Sequence, residues 1–335
     1  MSGLRALLVG AGAMGRAWAR ALSANPDVGL VAWVDVVVDR AREGVEVLGL
    51  SSVQAESDLG VALAAHHPDF VVDVSVPEAH FEVTSLCLKH HVAVLGEKPM
   101  AATLDEARRL VELSEATSTL FVVSQNRRYN AGLAAFRALV HEQLDGLGQL
   151  NAEFYRAPHF GGFRDEMESP LLLDMAIHTF DAARYVTGSD PVSVSCTEFN
   201  PRWSWYRGAA SAVAEFEFAN GVHFSYEGSW CAAGRETSWD SSWRAIGASG
   251  SAVWDGTANP VAEVRRGQDA GLERIEAAPS AIPGEGIAGS LVDFVWALRS
   301  GKAPMNECHD NLASLAMVMA ALESSRTGRR AKVEL

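Results

Sequence analysis

Cysteine is scarce in this chain. Four residues, Cys87, Cys196, Cys231 and Cys308, are scattered through 335 positions, and no two form a C-x-x-C pair. That excludes a zinc ribbon or a dithiol redox motif, and leaves free thiols in a reducing compartment as the expectation. Positive charge is short as well: 28 Lys and Arg against 42 Asp and Glu give a formal charge of −14. A surface so acidic disfavours nucleic acid and anionic lipid as partners, though local arginines can still hold a small anion. No apolar run approaches the length of a membrane span. Residues 1–24 carry an apolar stretch after Arg5 that ends in Ala21-Leu22-Ser23-Ala24. Gly10, Gly12, Gly15, Arg16 and Arg20 interrupt it, so a strand, a turn and a helix are expected rather than a signal peptide. The expected location is cytoplasmic.

The chain is long enough for two domains, and 48% apolar with 21% charged residues is the balance of a soluble globular protein. The first part alternates short apolar runs with amphipathic stretches. Leu4–Val9, Val28–Val34, Phe70–Ser75, Val92–Leu95 and Leu120–Ser124 read as strands. Helices are expected over Ala13–Ala24, Arg40–Leu48, Asp58–Ala65 and Glu78–His90. Another begins at the capping box Thr103-Leu104-Asp105-Glu106. Strands separated by helices imply an α/β, doubly wound parallel sheet.

The pattern changes near Gln125, which sets the expected domains at 1–125 and 126–335. Beyond that point come helices over Ala131–Gln143, Leu171–Val186, Ile287–Arg299 and His309–Arg326. Extended runs cover Gly148–Tyr155, Val192–Phe199, Ala210–Phe218, Val222–Trp230 and Trp243–Ile246. Asn220-Gly221 is a hairpin signal. This part is expected to be an α+β domain with a large, mostly antiparallel open sheet. Phe216, Phe218, Phe224 and Tyr226 are candidates for an aromatic oligomer patch on that sheet.

Three groups of residues carry chemistry. The turn Gly10-Ala11-Gly12-Ala13-Met14-Gly15 lies between the first strand and the first helix. There, free N–H groups and the positive helix end can meet a pyrophosphate. Asp35 stands 20 residues past Gly15, where a carboxylate can hold a ribose and repel a 2′-phosphate. The second group, Glu97-Lys98-Pro99, follows a strand at its carboxyl end, the edge where open α/β sheets bind ligands. The third, Asp174 and His178, is spaced to share a helix face. Alone, such a pair is more often a helix ion pair or a packed histidine. Its neighbours Leu171, Leu172, Met175, Ile177 and Phe180 suggest a half-buried acid and base.

The order of these groups, with Ser75-Val76-Pro77-x-x-His80 between them, resembles the glucose–fructose oxidoreductase/inositol dehydrogenase/rhizopine-catabolism (Gfo/Idh/MocA) family over nearly the whole chain. The resemblance implies an NAD(P)-dependent oxidoreductase that moves a hydride between nicotinamide and a hydroxyl or keto carbon of a sugar, cyclitol or related polyol. It implies that Lys98 and His178 are catalytic and that Asp174 contacts substrate or orients His178. It places Ser75, Val76, Pro77 and His80 along the cofactor, and Glu97 and Lys98 at its nicotinamide end. Arg127 and Arg164 are candidate substrate binders.

NAD is expected over NADP, because Val36-Val37-Val38 after Asp35 offer no cation; Arg40 is the nearest. The expected partners are a small sugar or polyol and further copies of the chain, with no metal, nucleic acid or membrane. Several tryptophans of the second part, Trp203, Trp205, Trp230, Trp239 and Trp243, can stack on sugar faces or pack in a core or subunit interface. Two other classes use the same residues: a glycoside-cleaving enzyme that oxidises transiently with bound NAD, and a non-catalytic dinucleotide or sugar sensor.

Overall fold

The computed structural model describes residues 3–267 and 270–335. They fall into two compact units, Met1–Asn126 with Pro283–Leu312, and Arg127–Ile282 with Ala313–Leu335. The sequence suggested one crossing at 125/126. The return of 283–312 to the first unit is a long-range event that local pattern does not encode.

The first unit runs β1 (Leu4–Val9), α1 (Ala13–Ala24), β2 (Val28–Val34), α2 (Val38–Val47), β3 (Gln54–Glu56), α3 (Leu59–His66), β4 (Phe70–Asp73), α4 (Pro77–Lys89), β5 (Ala93–Glu97), α5 (Leu104–Thr117) and β6 (Phe121–Ser124). Its six strands lie in the order β3-β2-β1-β4-β5-β6, all parallel. This is the dinucleotide-binding order that reverses direction at β1/β4. Strands β4 to β6 and most of β1 and β2 are apolar runs because both faces are covered. The expected capping box holds: Thr103 Oγ1 accepts from Glu106 N–H at 3.2 Å, and Thr103 N–H donates to Glu106 Oε2 at 3.2 Å. The late helix Gly286–Ser300 adds Leu291, Phe294 and Val295 to this core, with Phe294 edge-on to Phe70 at 5.2 Å.

The second unit holds α6 (Ala131–Gln143), β7 (Leu147–Tyr155), the one-turn α7 (Phe163–Glu166), and a π-helical turn (Leu171–Ala176) continuing into α8 (Ile177–Thr187). Eight more strands follow: β8 (Pro191–Phe199), β9 (Ser211–Phe218), β10 (His223–Ser229), β11 (Ser242–Gly247), β12 (Gly250–Trp254), β13 (Val261–Arg265), β14 (Leu272–Glu276) and β15 (Ala331–Lys332). The sheet order is β14-β13-β12-β11-β7-β10-β9-β8-β15, antiparallel except for the β7/β10 pair. The hairpin turn at Asn220-Gly221 forms, with Gly221 at φ +82°.

The aromatic patch does not sit where the sequence suggested. Phe216, Phe218, Phe224 and Tyr226 point inward and are fully buried against α8, with Phe180 edge-on to Phe216 at 4.8 Å and to Tyr226 at 5.2 Å. The alternate residues of the same strands face outward, among them Val213, Glu215 and Glu227, as does Arg244 on β11. The open face is therefore polar and acidic with a few aliphatic side chains. No described helix is long and apolar enough to cross a membrane.

Candidate active site

In the first unit the candidate residues start at the Gly-rich turn. Gly10 has φ +97°, and a Cβ there would lie 2.4 Å from Val74 O; one on Gly15 would lie 2.1 Å from Gly10 O. Both glycines are required by close packing of backbone on backbone. Gly12 differs: nothing lies within 4 Å of where its Cβ would be. The N-terminus of α1 has no side-chain cap, whereas Asp58, Thr103 and Asn130 cap α3, α5 and α6. Its N–H donors are open to a phosphate. Gly12, Ala13 and Met14 are exposed beside a cavity of about 520 Å³ lined by Arg16, Arg20, Arg40 and Glu43. These residues fit a dinucleotide pyrophosphate.

Two substitutions separate these roles. Gly12→Ser supplies a good N-cap and no clash, so the melting temperature should hold or rise while NAD affinity, read by calorimetric titration, falls at least about tenfold. Gly15→Ala should instead cost roughly 1–3 kcal/mol of stability by overpacking. A Gly12→Ser protein that binds NAD normally would contradict the placement.

Asp35 ends β2. Its Oδ2 accepts from Ala11 N–H at 2.8 Å and its Oδ1 from Val37 N–H at 2.9 Å, so it also braces the turn. Trp33 Nε1–H donates to Gly10 O at 2.9 Å from below. At the end of β4, the buried Asp73 accepts from Ser75 Oγ–H at 2.7 Å and Thr84 Oγ1–H at 3.2 Å, and so shapes the Ser75-Val76-Pro77 turn. Val76 is exposed on that turn.

His80 is buried. Its Nδ1 lies 2.7 Å from Pro99 O and its Nε2 3.1 Å from Ser75 O. It fastens the Ser75 turn to the Glu97-Lys98-Pro99 turn; a neutral ring can donate to only one of the two carbonyls. Glu97 is buried beneath Lys98, accepting from Trp18 Nε1–H at 2.8 Å and Lys98 N–H at 3.2 Å. Burial pushes its carboxyl above the ordinary value, against the pull of Trp18 and Lys98. Lys98 itself is half-buried at the carboxyl end of β5, and its peptide to Pro99 is cis.

In the second unit the candidate residues are built on the π turn. Asp174 lies in Leu171–Ala176 and His178 just past its junction with α8. The sequence suggested an unbroken α-helix; apolar spacing alone does not distinguish the wider turn, which is frequent at functional sites. Asp174 is half-buried, its Oδ2 accepting from Arg164 Nε–H at 2.6 Å, and His178 is buried. Arg127 lies in a neighbouring cluster. It donates to Trp239 O and stands 3.9 Å from Asp240, and burial lowers its guanidinium to about 10. Asp240 also accepts from Asn130 Nδ2–H at 3.1 Å.

Sequence reasoning missed these supports: Trp18, Trp33 and Asp240 act on residues far away in the chain, and Asp73 falls inside the strand expected over Phe70–Ser75. Among the described residues, Glu307, Cys308 and His309 bring potential metal ligand atoms within 4.8 Å of one another, away from the motifs above.

Comparison with known proteins gives one match in each unit. Residues 4–125 match the model described as an oxidoreductase family with an NAD-binding Rossmann fold, and residues 149–253 match the GFO/IDH/MocA C-terminal domain. An uncharacterised protein, y4oX, of Sinorhizobium fredii is 28% identical over 98% of this chain and 96% of its own length. An inositol 2-dehydrogenase of Rhizobium meliloti is 28% identical over 57% of each chain. The crystal structure of an oxidoreductase from Agrobacterium radiobacter, in complex with NAD+, L-tartaric acid and magnesium, superposes with a TM-score of 0.87 at 21% identity, covering 99% of each chain. With both of its units matched, the chain belongs to the Gfo/Idh/MocA family and is an NAD-binding oxidoreductase.

Proposed function

We propose that this oxidoreductase moves a hydride between nicotinamide and one hydroxyl or keto carbon of a sugar, cyclitol or related polyol. The first unit would hold the cofactor along Gly10, Gly12, Ala13, Met14, Gly15, Asp35, Ser75, Val76 and Pro77, with Glu97 and His80 bracing the nicotinamide end. The second unit would hold substrate through Arg127, Arg164, Asp174 and His178. In oxidation His178 accepts the hydroxyl proton, and Asp174 orients His178 or a substrate hydroxyl. Lys98 donates a hydrogen bond to the oxygen as charge develops on it. The nicotinamide, when bound, supplies the hydride acceptor.

The observation that carries this reading is the helix junction that sets a half-buried carboxylate and a buried imidazole four residues apart. The screening experiment uses sugars, inositols and diols with NAD and NADP, read by the absorbance of reduced nicotinamide. Many turnovers per enzyme with at least one polyol support the reading; none across the panel contradicts it. Net turnover of added NAD also separates it from a glycoside-cleaving cycle, and any turnover separates it from a sensor.

NAD should be preferred over NADP by more than about tenfold in kcat/KM, the factor that roughly 1.4 kcal/mol of charge repulsion supplies. The Asp35 carboxylate and the uncharged Val36-Val37 stretch support this preference. Asp35→Ser should narrow the gap, since Arg16, Arg20 and Arg40 line the adjoining cavity. Equal efficiency with both cofactors in the wild type would contradict it.

We also place a homo-oligomer contact on the open face of the second unit's sheet. Its outward residues include Val213, Ile246 and Val253, which are more exposed than is usual for aliphatic side chains. Light scattering should then give a mass of at least two chains at micromolar concentration; a monomer there would contradict the placement.

A further inference from the structure

Phe160 lies on the loop between β7 and α7 and is 56% exposed, yet it is not loose. Its ring stacks near-parallel on Trp239, with centroids 6.1 Å apart at 27°, and meets Trp230 edge-on at 6.1 Å. Trp230 is fully buried and stacked on Tyr206 at 5.5 Å and 12°, so the base of the platform is rigid. Trp230 keeps its indole N–H buried with no acceptor among the described residues. The result is an exposed aromatic face held in place by other rings, close to the Asp174 carboxylate. Arg164 makes the link: its guanidinium carbon is 5.6 Å from the Phe160 centroid, and its Nε–H donates to Asp174 at 2.6 Å.

Resting on the reading that Asp174 and His178 handle the substrate, we infer that Phe160 and Trp239 form a subsite for a second ring. The substrate is then a glycoside, a polyol ring carrying a further sugar or aryl ring, rather than a free monosaccharide or cyclitol. A hydroxyl-rich ring held by Asp174 is matched by charged and hydrogen-bonding groups. The Arg164 guanidinium contacts both that carboxylate and the Phe160 ring, so a second ring joined to one held at Asp174 has an aromatic face beside it. The chemistry of the face fits such an occupant. Aromatic rings take the apolar C–H side of a sugar or the face of an aryl group, and the guanidinium serves hydroxyls at the edge.

The test is calorimetric titration of the NAD-loaded protein with free D-glucose, D-galactose and D-xylose, their phenyl β-glycosides, and cellobiose. In at least one series a two-ring compound should bind about tenfold more tightly than the free sugar. Phe160→Ala should reduce that ratio below about threefold, and Phe160→Trp should restore it. Preference for the phenyl glycosides alone assigns the face to an aryl ring, and preference for cellobiose assigns it to a sugar; either supports the subsite. Equal affinity for one-ring and two-ring compounds, or a preference that survives Phe160→Ala, overturns it. If two-ring compounds bind with this preference but no nicotinamide is reduced, the subsite stands and the hydride-transfer reading fails. If none of these compounds binds, the subsite fails, while the hydride-transfer reading is decided by the wider panel of sugars, inositols and diols.

Discussion

Replacing His178 by Ala should slow substrate oxidation by about two to four orders of magnitude, the usual size of a general-base contribution. In the proposed reaction His178 takes the proton and Lys98 steadies the oxygen it leaves, so the two serve one event. Groups that act as a unit are not additive. Lys98→Met should therefore cost much less in the His178→Ala background than in the wild type. Cofactor affinity should change little in His178→Ala, because the proposal gives His178 to the substrate. Steady-state rates and NAD titrations of the two single variants and the double variant check each point. The competing account is that His178, which is buried, only packs. It predicts a lower melting temperature with near-normal turnover per folded molecule.

Breaking the Arg128–Asp181 pair should cost about 3–5 kcal/mol of stability, the usual penalty for leaving one buried charge without its partner. The two side chains are buried and bidentate, with Nε–Oδ2 at 2.8 Å and Nη2–Oδ1 at 2.7 Å. Ser314 Oγ–H donates to the same carboxylate at 2.6 Å and accepts from Arg184 Nη1–H at 2.9 Å. The cluster thus ties the segment just before α6 to α8 and to the late helix Cys308–Thr327. Asp181→Asn should lower the denaturation midpoint sharply, whereas Arg128→Met with Asp181→Leu should recover much of the loss because no charge is then stranded. A single variant as stable as the wild type would show that the pair contributes nothing.

Much of the first unit was legible because its rules are local. A glycine at φ +97° and a glycine pressed onto a carbonyl are visible as letters, and so is the Thr103–Glu106 cap. The strands of the second unit were harder. β12 to β14 have five residues each and mix glycine, arginine and glutamate among their apolar positions. The direction of Phe216 and Phe218 was available in principle: on β9 they alternate with Glu215 and Glu217, and the carboxylates belong in water. The π turn at Asp174 was not legible, since its apolar residues satisfy an α-helix equally well. Nor were the braces Trp18 and Asp240, whose partners Glu97 and Asn130 lie far off in the chain.

The most direct test of hydride transfer follows the hydrogen itself. Incubate the enzyme with NAD and an active polyol deuterated at its ring carbons, and weigh the reduced nicotinamide by mass spectrometry. The account predicts one deuterium per reduced nicotinamide, slower reduction than with the unlabelled polyol if the hydride step limits the rate, and loss of the signal in His178→Ala. Reduced nicotinamide without deuterium, or unchanged polyol and cofactor across every compound tried, would contradict it.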